Sequence, residues 1–210
     1  MNEINKRIYE NLEILPKKLY GWQSEHPIFS KVIQMVKPSV IIEVGTWVGA
    51  SAIHMAKECK RRNLNTKIYC VDTWLGAEEF WTRFAHTEER SLCLKNGYPT
   101  IYYQFLSNVV HEGMQDMILP FPNTSTAGAK YFQFKNIKAD LIYIDGSHLE
   151  EDVYSDIKNY YPILNNGGII FGDDYTPYWD SVRRAVSRFC GDFKLKFFVE
   201  DEKWWIVKDV

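Results

Sequence analysis

At 210 residues the chain is long enough for one domain with a full hydrophobic core. Hydrophobic residues make up 46%, charged residues 25% and aromatics 15%, and a formal net charge of -2 with mixed signs gives no basis for a nucleic-acid groove or a polybasic membrane patch. No apolar run approaches the roughly 18 residues of a membrane span, the first residues carry no apolar signal core, and Cys59, Cys70, Cys93 and Cys190 form no C-x-x-C pair, so a soluble cytoplasmic chain with reduced thiols and no zinc knuckle is expected.

In chain order, residues 1–37 read as a helical lead-in: Ile8, Leu12 and Leu15 share a face, Pro16 interrupts, and Ile28 to Val36 resumes. Residues 38–210 then read as the main body of a single compact domain. Short apolar runs at Val40–Val44, Lys67–Val71, Asp140–Ile144 and Gly168–Phe171 are β-branched or aromatic and end at Gly or Asp. Such runs suit parallel strands buried on both faces. Between them Leu149, Val153, Ile157 and Tyr161, and later Val182, Val186 and Phe189, repeat at helical spacing. Strands alternating with helices predict a doubly wound α/β sheet with helices on both faces. Phe193 to Val199 and Trp204 to Val207, joined by Glu200-Asp201-Glu202-Lys203, predict a C-terminal hairpin and therefore one antiparallel strand. Leu75 to Thr100, rich in Trp, Phe, His and charge, reads as a helix and loop covering the carboxyl ends of the strands, with His86 worth noting within it.

Three motifs sit at those strand ends. Glu43-Val44-Gly45-Thr46-Trp47-Val48-Gly49-Ala50-Ser51 is a glycine-bearing strand-to-helix turn of the kind that usually holds a nucleotide. Trp47 stands where the dinucleotide fingerprint has its second glycine, and Glu43 places negative charge where a pyrophosphate would lie. Both favour a phosphate-free ligand with a cationic end, such as S-adenosylmethionine, with Ser51 placed to donate to the ligand's carboxylate. Val71-Asp72-Thr73-Trp74 follows, and Asp72, 23 residues past Gly49, is placed to accept from both ribose hydroxyls. Asp145 and Asp173-Asp174 then close adjacent predicted strands. Three carboxylates converging on one patch repel unless a cation lies between them, and hard oxygen ligands in an incomplete shell suit Mg²⁺. His148, three residues after Asp145, could act there as a general base.

Together these residues resemble the class I S-adenosylmethionine-dependent methyltransferases, and within them the metal-dependent O-methyltransferases of the catechol and macrolide-sugar types. The turn of Glu43, Gly45, Gly49 and Ser51 is similar to the catechol-type donor loop, and Thr46, Trp47, Thr73 and Trp74 fall in the same donor-binding segments. Asp72 sits where that family binds ribose, and Asp145, Asp173 and Asp174 match its metal ligands, although the third is Asn in catechol enzymes. The position of His148 is a lysine in catechol enzymes and a histidine in the macrolide-sugar group. Pro120 to Ser125 resembles the adenine-side loop, with Ser125 as the contact. The resemblance implies a Rossmann-like sheet of seven strands, mostly parallel, with the antiparallel strand inserted near one edge. It also implies transfer of the sulfonium methyl to a hydroxyl of a small molecule, a sugar or other polyhydroxylated compound among them. No oligomeric state is carried over, which leaves a homo-oligomer open. Trp74, Trp81, Phe84 and Trp179 could stack on a sugar or aromatic ring. The competing readings are a metal-independent N- or C-methyltransferase, a nicotinamide-dependent oxidoreductase, and a non-catalytic module that binds S-adenosylmethionine.

Overall fold

The computed structural model describes residues 7–82 and 92–209; Phe84 and His86 lie outside the described residues. α1 (Pro27–Val36) leads into β1 (Val40–Val44), α2 (Ala50–Arg61), β2 (Lys67–Asp72), the short α3 (Glu78–Trp81) and α4 (Ile101–His111). The chain continues through β3 (Ile118–Pro122), α5 (Ser125–Phe134), β4 (Ala139–Ile144), α6 (Glu150–Tyr160), β5 (Leu164–Gly172), α7 (Asp180–Phe193), β6 (Phe198–Glu200) and β7 (Lys203–Val207). These strands form one sheet in the order β3-β2-β1-β4-β5-β7-β6, with β7 antiparallel to both its neighbours.

Each central strand feeds two cores because successive side chains point to opposite faces. Ile41 and Tyr143 face α1, α2 and α4, whereas Ile42 and Ile144 face α5, α6 and α7. The chain moves outward through β1, β2 and β3, then returns to add β4 and β5 on the other side. The reversal between β1 and β4 opens a crevice at the carboxyl ends of the strands, where sheets of this kind bind ligands.

Three expectations change. Residues 12–21 are not helical. Ile8, Tyr9, Leu12 and Leu19 still pack on the core, but the backbone between them is held by the polar side chains of α4. Ser107 Oγ accepts from Leu15 N and Asn108 Oδ1 from Lys18 N, both at 3.0 Å, while Gln104 Nε2 donates to the Pro16 carbonyl, also at 3.0 Å. Pro16 cannot donate within a helix, and these bonds satisfy the extended chain instead. The C-terminal hairpin is shorter than expected. Phe193 ends α7, and the turn contracts to Asp201 and Glu202, whose φ values of 46° and 71° give a two-residue turn of the primed type. Lys203 therefore belongs to β7, paired with Glu200, and is fully buried. Finally, Pro120 and Pro122 lie within β3, an edge strand, where the missing N–H groups are tolerated.

Candidate active site

The turn after β1 is fixed by close backbone approach. Gly45 has φ +82°, and a Cβ there would lie 2.1 Å from the Asp145 carbonyl oxygen. Gly45 N donates to Val71 O at 2.9 Å and Asp145 N to Val44 O at 2.8 Å, which ties the ends of β1, β2 and β4 together. Trp47 and Trp74 both adopt positive φ, at 48° and 51°. Such a conformation costs a bulky residue about 1–3 kcal/mol. Asp72 supplies the compensation: its Oδ2 accepts from Thr46 N and Trp47 N, each at 2.8 Å, and its Oδ1 from Trp74 N at 2.7 Å. Trp74 Nε1 closes the knot by donating to the Trp47 carbonyl at 2.7 Å. Asp72 thus organises both loops, a task its spacing from Gly49 did not disclose.

Glu43 is fully buried, and its two oxygens accept from Ser51 Oγ at 2.6 Å and Thr46 Oγ1 at 2.7 Å. It stands behind the loop rather than lining the cavity, so it shapes the site through Thr46 and Ser51. Ser51 directs its hydroxyl hydrogen at Glu43, and donation to a ligand carboxylate would require that bond to be exchanged. Burial, opposed by the hydroxyl bonds, pushes the Glu43 carboxyl up to about 7. Between the ordinary value of 4.5 and 7 the folded chain keeps a proton that the unfolded chain has lost, so stability falls as pH rises through that window, at roughly 1.4 kcal/mol per pH unit. Replacing Glu43 with Gln is therefore expected to shift the melting-temperature difference from wild type in the variant's favour between pH 5 and pH 8. A difference independent of pH would contradict a buried, protonatable Glu43.

Asp145 follows β4, and Asp173 and Asp174 follow β5; one ligand atom from each lies within 4.8 Å of the others. Loss of water at the cavity floor and the charges of Asp173 and Asp174 hold the Asp145 carboxyl well above the usual carboxylate range. Asp145 is the exposed member of the three and Asp173 the buried one. Lys203 enters this group from below, between the strands. Its ammonium is fully buried, pairs with Asp173 Oδ2, stands 3.4 Å from the Tyr143 hydroxyl and lies 5.6 Å from the Phe29 ring centre. Tyr143 in turn donates to Asp145 Oδ2 at 3.1 Å. Burial raises the Asp173 carboxyl and Lys203 draws it part of the way back. Sequence reasoning left Lys203 in a charged turn; only the pairing register shows that it points inward.

His148 is held on three sides. Nε2 is 3.0 Å from Asp174 Oδ2, Nδ1 is 3.1 Å from Glu79 Oε1, and the ring stacks on Trp179 with centroids 3.8 Å apart. Burial works against the charged ring, but the bonds and charge of Asp174, with Glu79, outweigh it and push the imidazole up to about 9. In this arrangement His148 is a cation, bonded to a carboxylate through each nitrogen.

A cavity of about 1160 Å³ joins these parts, large enough for two small molecules. Of the residues singled out in the sequence, Gly45, Thr46, Trp47, Ser51, Asp72, Thr73, Trp74, Ser125, Asp145, His148, Asp173 and Asp174 line it, whereas Glu43 and Gly49 do not. Gly49 caps α2 with φ +89°, against the Phe105 ring. At the opposite end Ser125 donates to Asp156 Oδ1, and burial, opposed by that bond, raises the Asp156 carboxyl to about 7. Trp47 is stacked between Trp22 and Phe80, with centroids at 5.1 and 5.7 Å. Its buried indole N–H has no acceptor among the described residues, a donor that a polar ligand would satisfy. That donor, the Gly45 cradle and the carboxyl-rich floor fit a phosphate-free nucleoside carrying a cationic centre. Three carboxylates within bonding reach of one point fit a hard divalent cation.

The family model described as a methyltransferase domain matches residues 42–175. The chain belongs to the methyltransferase domain family. Among solved structures, the O-methyltransferase NovP is similar to this methyltransferase domain with a TM-score of 0.65 at 15% identity, over 89% of this chain and 80% of that one. A calicheamicin methyltransferase gives 0.62 at 16% identity, over 86% and 77% of the two chains. The O-methyltransferase from Bacillus cereus, solved in complex with SAH, gives 0.61 at 14% identity, over 98% and 90%. An uncharacterized protein of Acanthamoeba polyphaga mimivirus is 39% identical over 155 residues, and one of Sinorhizobium fredii is 22% identical over 154. The chain spans 60% of the mimivirus protein's length and 15% of the Sinorhizobium protein's. No helix among the described residues is long and apolar enough to cross a membrane.

Proposed function

We propose that this domain is an S-adenosylmethionine-dependent, magnesium-assisted O-methyltransferase acting on a hydroxyl of a small molecule, with a sugar or another polyhydroxylated compound as acceptor. The observation that carries the reading is the meeting of Asp145, Asp173 and Asp174 within 4.8 Å on the wall of the cavity that also holds the Gly45–Ser51 loop and Asp72. Bound S-adenosylmethionine supplies an electrophilic methyl group, and a divalent cation on the three aspartates supplies Lewis acidity toward an acceptor oxygen. The backbone of Gly45 to Trp47 and the carboxylate of Asp72 hold the donor end, with Ser125 beside Asp156 at the far end. Holding two reactants in attack geometry can contribute about 7–11 kcal/mol in favourable systems. His148 is the residue proposed to take the acceptor's proton, at Nε2. That role requires Nε2 to lose its own proton as well as its bond to Asp174, because a ring bonded to carboxylates at both nitrogens already carries both protons. A cytoplasmic site of action goes with this reading, in which the cysteines of the described residues form no disulfide.

Asp145→Asn is expected to abolish release of S-adenosylhomocysteine in the presence of an acceptor while leaving the circular dichroism spectrum and S-adenosylmethionine binding in place. Full turnover by that variant in excess chelator would remove the metal from the reading. One observation favours a second reading: the buried ammonium of Lys203 already offsets part of the acidic charge. On that reading the domain is a metal-independent methyltransferase, on nitrogen or carbon, and wild-type turnover is indifferent to chelator.

A further inference from the structure

Resting on the proposed role of His148, we infer that Glu79 is its positioning residue, and that α3 ties the bond between them to the donor loop. The backbone of His148 is already fixed, because its carbonyl accepts from Ser181 Oγ at 2.5 Å. The stack on Trp179, with ring planes 10° apart, fixes the plane of the imidazole. Stacking does not choose which ring atoms face the floor: a half-turn about the Cβ–Cγ bond keeps the stack and puts a carbon where each nitrogen stands. Among the described residues the nitrogens are held by two carboxylates, Glu79 Oε1 at 3.1 Å from Nδ1 and Asp174 Oδ2 at 3.0 Å from Nε2. Removing the proton from Nε2 ends the second bond, since an unprotonated nitrogen cannot donate. Glu79 is then the polar contact that keeps Nε2 turned toward the acceptor, as a hydrogen bond at one imidazole nitrogen sets the state of the other.

Glu79 comes from α3, a single turn with no buried residue. Isolated helices shorter than about 12–15 residues are marginal in water, so a turn this short depends on what it touches. Consecutive helical residues point about 100° apart, and here they reach two walls of the cavity. Glu79 reaches His148, whereas Phe80 stacks on Trp47 of the donor loop with centroids 5.7 Å apart. Trp81 Nε1 anchors the turn by donating to the Leu75 carbonyl at 2.8 Å. Trp47 lines the cavity beside Asp72, whose carboxylate holds its backbone N–H. A donor seated against Trp47 therefore steadies Phe80, and through the neighbouring residue of the same turn it steadies Glu79 against His148. The imidazole is set in place when the methyl donor is present.

The test uses the full chain labelled with ¹⁵N-histidine, in excess Mg²⁺ at one fixed pH, with and without S-adenosylhomocysteine. The His148 ring signals are those missing from His148→Asn, and the exchange of the Nδ1 proton with water is followed by NMR. Adding S-adenosylhomocysteine to wild type is expected to slow that exchange by about fivefold or more, the lower end of coupling between two sites. In Glu79→Leu, which removes the acceptor, exchange is expected to be faster than in wild type by about tenfold or more, as loss of a hydrogen bond to a charged group implies. Glu79→Gln keeps an acceptor oxygen and is expected to stay near wild type. Melting temperatures taken alongside separate this from a merely structural role, in which both variants lose stability alike and the Nδ1 proton exchanges as in wild type. Wild-type exchange in Glu79→Leu, or exchange in Glu79→Gln as fast as in Glu79→Leu, overturns the positioning role. Exchange indifferent to S-adenosylhomocysteine that does bind overturns the tie to the donor loop. Absence of S-adenosylhomocysteine binding is a separate outcome, which removes the methyltransferase reading and this inference with it.

Discussion

Replacing Lys203 with methionine is expected to lower stability by about 3–5 kcal/mol, the usual consequence of removing one partner from a buried ion pair. For a domain of this size that is a fall in melting temperature of roughly 6–20 °C. Methionine fills much of the lysine stem's volume, so the loss is electrostatic: Asp173, itself buried, is left with Asp145 and Asp174 for neighbours and no ammonium below. Two accompanying results give the number its meaning. Adding Asp173→Asn to the Lys203→Met background removes the stranded charge and should restore most of the stability. Millimolar Mg²⁺ should stabilise the single variant more than it stabilises wild type, because a cation above the aspartates then offsets charge that Lys203 offset from beneath. A Lys203→Met protein as stable as wild type would show that this lysine is not the internal counter-ion of the acidic site.

The second large effect is expected at Gly45. Gly45→Ala should eliminate the thermal shift produced by S-adenosylmethionine and lower the yield of folded protein. The new Cβ would stand 2.1 Å from the carbonyl oxygen of Asp145 and 2.4 Å from the Cα of Gly146, and both obstacles are backbone, which cannot swing aside as a side chain can. The residue would also have to hold φ near +82°, a region that L side chains rarely adopt. Relief can come only by parting β1 from β4, which moves Asp145 away from Asp173 and Asp174. One methyl group therefore disturbs the donor loop and the metal site together. A variant that binds S-adenosylmethionine as wild type does would mean that the two loops are less tightly coupled than these contacts require. By contrast Gly97, Gly113 and Gly191, with open space around their Cα atoms, are not expected to respond in this way on steric grounds.

What the sequence disclosed depended on whether one residue type has one plausible environment. Val40 to Val44 and Asp140 to Ile144 were readable as strands because a continuous apolar run followed by Gly or Asp fits a strand buried on both faces, and both are strands at the centre of the sheet. The three aspartates were readable as a group because each ends one of two neighbouring strands. Residues 12–21 were misread since Ile8, Leu12 and Leu15 have helical spacing, and nothing local reveals that Gln104, Ser107 and Asn108, about 90 positions away, capture the intervening backbone. β3 went unread as a strand because two prolines argue against a ladder unless the strand is known to lie at an edge. Lys203 was invisible for a related reason. In Glu200-Asp201-Glu202-Lys203 it looks like one more solvated charge, and a turn one residue longer would have turned it outward. The apolar pattern Ile101, Phe105 and Val109 was available as a signal for α4.

The central claim is that Asp145, Asp173 and Asp174 hold a divalent cation beside the donor pocket. Electron paramagnetic resonance of Mn²⁺ measures this directly, because the sharp signal of the free ion is lost on binding. The account expects one Mn²⁺ bound per chain, displaced by excess Mg²⁺ and not bound by Asp145→Asn of native fold. A free-ion signal that stays at full strength when wild-type protein is in excess would contradict it.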